Sequence, residues 1–145
     1  MNFFNSIGGG ISVLLIALVA RSYARRRHFV VEGLVSPGNQ QGKKLGAATA
    51  NLPLVAAKKL PKGLYSCNVR IGESTAQYRG LLYYGYNSLT ELDCLEVHLF
   101  DFNADLYGEQ LTITTQKFLR RPKKFRDPKK LAAQIEQDIK KALKK

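Results

Sequence analysis

Tyr65-Ser66-Cys67-Asn68-Val69-Arg70-Ile71-Gly72-Glu73-Ser74 is the stretch from which the rest of the chain can be read. Tyr65, Cys67, Val69 and Ile71 alternate with more polar residues, the period-two signature of a strand with one buried face. Gly72-Glu73-Ser74 then supplies turn residues, and Gln77 to Tyr84 resumes an extended pattern. Downstream, Leu95, Val97 and Leu99 share one face of a further strand, and Leu111, Ile113 and Thr115 share one face of the next. Upstream, Phe29, Val31 and Val35 do the same over Phe29 to Val35, which makes five strands visible by alternation. Helical signals appear only at the end. Asp127-Pro128 reads as an N-cap followed by proline at the first helical position, and Leu131, Ile135, Ile139 and Leu143 then recur every four residues. The predicted architecture is mainly β: a small antiparallel barrel or sandwich, closed to protect its edges, with a C-terminal helix.

Composition sets the frame. At 145 residues the chain suits one domain, and 45% hydrophobic with 23% charged residues excludes collagen-like, coiled-coil and wholly disordered classes. Lysine and arginine total 23 against 11 acidic residues, a formal charge of +12, so an anionic partner is expected: nucleotide phosphate, nucleic acid or anionic lipid. The two cysteines, Cys67 and Cys94, form no disulfide framework and no zinc-ligand cluster, and fit a reducing compartment.

Two segments depart from this average. Residues 1–27 form a leader whose stretch from Phe3 to Ala20 is interrupted by few polar residues and is followed by Arg21, Arg25, Arg26 and Arg27. It is either a short single membrane anchor, held with its basic flank on the cytoplasmic side, or a leader foreign to the fold. A secretory signal carries its charge in front, so export is disfavoured. The second segment is basic: Lys117, Arg120, Arg121, Lys123, Lys124, Arg126, Lys129 and Lys130 are opposed only by Asp127. The lysines of the terminal helix read as a solvated face before they read as a nucleic-acid surface.

Three groups of residues could carry chemistry. The glycine-rich stretch from Gly33 to Gly46 could present amide hydrogens to phosphate, but it is no Walker loop, since Gly38 and Gly42 enclose three residues and Lys43 is followed by Lys44. Thr49 and Asn51, two positions apart on an extended backbone, point the same way, and their neutral oxygens suit a magnesium ion whose charge is met by phosphates. The bland alternative is a turn or side-chain cap. Glu96 and His98 lie opposite the apolar face of Leu95, Val97 and Leu99, where an outward, solvated acid is the ordinary case.

The order of these motifs is more specific than any one of them. Gly33-x-Val35-x-x-Gly38-x-x-x-Gly42-Lys43-x-Leu45-Gly46, Thr49-Ala50-Asn51-Leu52, Leu60-Pro61-x-Gly63-x-Tyr65, Leu95-Glu96-Val97-His98-Leu99-Phe100-Asp101-Phe102, Asp105-Leu106-Tyr107-Gly108, and Leu119-Arg120 with Phe125 follow one another without a gap. This series resembles the riboflavin kinase family from about Phe29 to the C-terminus, and residues 28–145 are expected to form its domain. The resemblance implies a six-stranded antiparallel Greek-key barrel with a C-terminal helix, one strand more than alternation reveals. It also implies transfer of the ATP γ-phosphate to the riboflavin 5′-hydroxyl, giving FMN.

By motif position the resemblance implies Gly38, Lys43 and Gly46 in a loop covering the ATP phosphates. Thr49 and Asn51 would hold magnesium, with zinc or manganese as alternatives, and Glu96 would be the catalytic base. Leu99 and Tyr107 fall at nucleotide-contacting positions, and Arg120, Lys123 and Phe125 in the segment that closes over the flavin. The family usually has proline at Ala48 and at Ser88 in the loop from Gly85 to Ser88, and glycine at Ala104. The 28 residues before Phe29 are too few for the adenylyltransferase domain that many bacterial relatives carry. The expectation is therefore a monomeric cytoplasmic kinase, in which the residues between 3 and 20 could tether it to the membrane. Its competitors are a flavin- or nucleotide-binding module without turnover, and a basic barrel for single-stranded nucleic acid.

Overall fold

The computed structural model describes residues 28–37, 49–88 and 90–144. The leader 1–27, Gly38, Lys43, Gly46 and Ala48 lie outside the described residues.

Six strands make one antiparallel sheet: β1 (Val30–Leu34), β2 (Ala50–Leu52), β3 (Gly63–Ile71), β4 (Tyr78–Asn87), β5 (Leu92–Leu99) and β6 (Gln110–Arg120). Their spatial order is β1-β6-β3-β4-β5-β2. Within it, β6-β3-β4-β5 is a Greek key, because β6 returns by a long connection to lie beside β3. The two outer strands approach each other at one end, where Ser36, just past β1, bridges Asn51 of β2. The result is a nearly closed barrel, which leaves little unpaired edge.

The predicted alternation is the observed one. Val31, Val35, Tyr65, Cys67, Val69, Leu95, Val97, Leu99, Leu111 and Ile113 all lie in the interior cluster, joined by Leu82 of β4. Thr115, on the same face of β6, is buried as well, and its polar atoms are satisfied by the chain entry. Its Oγ1 accepts from the Phe29 N–H at 2.7 Å, and its carbonyl is 2.6 Å from His28 Nδ1. A short 3-10 helix, Leu54–Ala57, follows β2 and brings Ala57 into the core, with Leu60 beyond it.

Two expectations are corrected. Gly85 to Asn87 do not belong to a loop, because the ladder with β5 continues through Gly85↔Cys94, Tyr86↔Asp93 and Asn87↔Leu92. The terminal helix α1 (Pro128–Leu143) begins as predicted, with the Asp127 side chain accepting from Lys129 N at 2.9 Å. Its inward face, however, is not set by the aliphatic residues alone. Asp138 and Ala142 are its buried positions, whereas Leu143 is 46% exposed. α1 covers the outer face of the sheet, where Leu64, Leu81, Phe100 and Ala142 form a second cluster with Tyr83, Leu119 and Ile139.

Candidate active site

Antiparallel register places directly paired residues on the same face of a sheet. Asn51 of β2 pairs with Glu96 of β5, Glu96 with Tyr83 of β4, Tyr83 with Leu64 of β3, and Leu64 with Arg120 at the end of β6. One rung on the outer face therefore runs Asn51, Glu96, Tyr83, Leu64, Arg120. It crosses five of the six strands and joins three residues singled out in the sequence.

The barrel lends this rung rigidity, because each strand is fixed from behind by its interior neighbours: Leu95 and Val97 flank Glu96, and Ala50 and Leu52 flank Asn51, all of them buried. Glu96 itself is half-buried. Cys94, two residues before it, lies on the same face. Burial pushes the Cys94 thiol up to about 12, and the adjacent Glu96 carboxylate adds to the rise, so the thiol stays protonated at neutral pH. Burial likewise pushes the Tyr83 hydroxyl up to about 12; Cys94 and Glu96 add to that shift and the Arg120 guanidinium opposes it. The Tyr83 hydroxyl donates to the Tyr86 carbonyl at 2.8 Å.

The Asn51 end of the rung is also where the β1 terminus and the β5–β6 connection meet. Ser36 N donates to the Asn51 carbonyl at 2.9 Å, Val35 N to the Glu109 carbonyl at 2.9 Å, and Gly108 N to the Val35 carbonyl at 3.1 Å. Tyr107, 64% exposed, is thus held next to the point from which the stretch containing Gly38, Lys43 and Gly46 departs. Thr49, half-buried, precedes β2 at the same end. Leu99 is not brought to this face: it is three positions from Glu96, has the opposite parity, and lies in the barrel interior.

The Arg120 end is covered by residues 121–126. Pro122 sits over Gly85 so closely that a Cβ there would lie 2.8 Å from Pro122 Cγ and 2.9 Å from the Tyr83 hydroxyl oxygen. Lys124 Nζ stands 4.4 Å from the centroid of the Tyr86 ring, a cation–π contact. Phe125 is half-buried. Arg120 itself is gripped by Asp138 of α1: Nε donates to both carboxylate oxygens at 3.1 and 3.0 Å, and Nη2 to Oδ2 at 2.8 Å. Gln134 Nε2 donates to Asp138 Oδ1 at 2.9 Å, and Lys123 Nζ donates to Gln134 Oε1 at 3.2 Å. Asp138 and Gln134 are absent from the sequence reading. The available signal was an acid placed within the apolar arc that holds Leu131, Ile135 and Ile139.

His98 packs edge-to-face on Phe100 at 5.6 Å. The strand tyrosines are packed: Tyr78 edge-to-face on Phe102 at 5.1 Å, Tyr84 against the interior cluster and Tyr83 beneath α1. Among the described residues, no group of three or more His, Cys, Asp or Glu side chains could hold a metal ion.

The riboflavin kinase family model (Flavokinase) matches residues 25–145 of the chain. The bifunctional riboflavin kinase/FMN adenylyltransferase of Bacillus subtilis is 31% identical over 121 residues, 79% of this chain and 38% of that protein. The enzyme of the same description from Escherichia coli is 32% identical over 112 residues, 76% of this chain and 36% of that protein. The chain therefore spans well under half the length of these relatives. Among solved structures, a macrolide-efflux protein from Streptococcus pneumoniae superposes with a TM-score of 0.63 at 29% identity, covering 77% of this chain and 37% of that one. The riboflavin kinase of Trypanosoma brucei superposes with a TM-score of 0.59 at 18% identity, covering 80% and 78%, a likeness of fold.

Proposed function

This chain belongs to the riboflavin kinase family, and we propose that it carries out the transfer of the ATP γ-phosphate to the 5′-hydroxyl of riboflavin, giving FMN and ADP. The observation that carries the reading is the outer rung, which sets Glu96 between a nucleotide side at Asn51 and a flavin side at the Arg120 end.

Phosphoryl transfer asks a protein mainly to hold two substrates in line and to meet developing charge. Glu96 is the base: its carboxylate takes the proton of the ribityl hydroxyl as the oxygen bonds to the γ-phosphorus and the bond to ADP breaks. The neighbouring Cys94 thiol, which burial keeps protonated at neutral pH, does not compete for that proton. Gly38, Lys43 and Gly46 cradle the phosphates, and Tyr107 serves the nucleotide side, whereas Leu99 belongs to the interior core. Arg120, Lys123 and Phe125 close the flavin side.

The donor chemistry at Thr49 and Asn51 fits a hard cation bound together with ATP. Both offer neutral oxygens, and the one nearby thiol has no thiolate to give, which favours magnesium over zinc. When bound, the metal neutralises charge on the transferring phosphates. Glu96, opposite Asn51, is then close to the metal side without being needed as a ligand.

The barrel interior is filled by Val69, Leu82, Val97 and Ile113, each 0% exposed, and is a core and not a conduit. Among the described residues no helix is long and apolar enough to cross a membrane. The reading places a monomeric kinase in the cytoplasm, with residues 3–20 as a tether to its membrane face, supported by the arginines that follow them. The test is incubation of the full chain with riboflavin, ATP and magnesium, followed by chromatography. FMN and ADP in equal amounts are expected; neither product forming would end the reading.

A further inference from the structure

Asp138 is the one carboxylate that the described structure buries, at 2% exposure, and it lies on a helix whose one other acid, Glu136, faces solvent. A buried ion pair is a poor device for stability, since apolar residues of similar size commonly serve as well or better. Its value is geometric. Both carboxylate oxygens are engaged by Arg120, and Oδ1 also by Gln134. Arg120 uses three of its five N–H groups in these bonds and in the bond from Nη1 to the Arg121 carbonyl at 3.1 Å, so two remain to be offered outward. One helical turn away, Gln134 holds Lys123. Two residues of α1, four apart on one face, therefore grip both ends of the strap 120–123, whose middle, Pro122, is seated on Gly85.

We propose that Asp138, with Gln134, is a positioning residue of the flavin side: it fixes the Arg120 guanidinium and the strap behind it at the end of the rung that carries Glu96. The inference rests on the kinase reading and deepens it. Asp138 does not touch substrate; it acts through Arg120 and Lys123. Its influence falls on riboflavin, because the nucleotide side lies at the far end of the rung, with β3, β4 and β5 between them.

The experiment compares full-length wild type, Asp138→Leu and Asp138→Asn by steady-state kinetics, by quenching of riboflavin fluorescence on binding, and by thermal melting. Asp138→Leu leaves the mostly buried Arg120 guanidinium without its counter-charge and is expected to melt below wild type; at a temperature where it stays folded, riboflavin KM and dissociation constant should rise at least about tenfold, the loss of one charge-assisted hydrogen bond. The KM for ATP and kcat should stay within about threefold. Asp138→Asn keeps the shape of the side chain and should show a smaller shift of the same kind; it also carries the test should the leucine variant not fold. Unchanged riboflavin affinity in a folded variant, or equal loss toward ATP and riboflavin, would make the pair structural and overturn the proposal. If wild type binds riboflavin without making FMN, the kinase reading falls and Asp138 is judged on binding alone. If wild type does not bind riboflavin, both fall.

Discussion

Asn51 and Glu96 stand directly opposite each other in the β2–β5 ladder, although the whole β3–β4 hairpin separates them in sequence. The proposed neutral oxygen ligand and the proposed carboxylate base are thereby fixed side by side by backbone hydrogen bonds, not by flexible loops. Asn51→Asp would set two carboxylates against each other, and like charges across a ladder disfavour ionisation of either. The acid limb of the kcat profile should move to higher pH, with weaker turnover at neutral pH. A pH–rate series on wild type and variant checks this; superimposable limbs would separate Asn51 from the base.

Gly85 is required by the approach of Pro122, not by its own backbone angle. Gly85→Ala should push the strap 121–126 off the sheet and raise the riboflavin KM, while the strand pairing on either side holds. At Gly80 the obstacle is backbone: a Cβ would lie 2.3 Å from the His98 carbonyl oxygen. Gly80→Ala should therefore cost stability broadly, about 1–3 kcal/mol or more by chemical denaturation, whichever substrate is followed.

Much of this was legible in the chain itself. Residues such as Val69, Val97 and Ile113 announce their strands because each has one dry face. β2 stayed hidden, since Ala50–Leu52 is too short for a period to show. Gly85 and Asn87 look like loop residues, yet the ladder with β5 overrides their preferences. Asp138 was invisible for a different reason: an acid on an otherwise apolar helix face acquires meaning only when its partner, Arg120, is known to lie beneath it. Glu96 was found by resemblance, but its pairing with Asn51 and its place in the rung required the register.

Cys67, Cys94 and Tyr83 give the protein an alkaline limit. Burial raises the Cys67 and Cys94 thiols from 9.0 to about 12, and Tyr83 from 10.0 to about 12. Above about pH 9 the unfolded chain releases protons that the folded chain retains, so it binds fewer protons and stability falls with rising pH. Their contribution is whole below pH 9 and is lost progressively toward pH 12. Melting temperatures should drop steeply across that window, and Cys67→Ala should flatten part of the slope.

Thr115 ties the chain entry to β6. Thr115→Val removes the acceptor for the Phe29 N–H and leaves that donor without its 2.7 Å partner, a loss of about 1–3 kcal/mol. Hydrogen exchange at Phe29 should accelerate more than at Val69, in the middle of β3.

The rung makes one claim above the rest: Glu96 moves the proton and does not hold the fold or the flavin. The direct measurement is FMN formation by the full chain and by Glu96→Gln, with riboflavin binding followed in parallel. Turnover should fall by about 10²–10⁴-fold in the variant with riboflavin affinity unchanged. Turnover that survives the substitution would contradict the account, and so would a loss of riboflavin binding that matches the loss of rate.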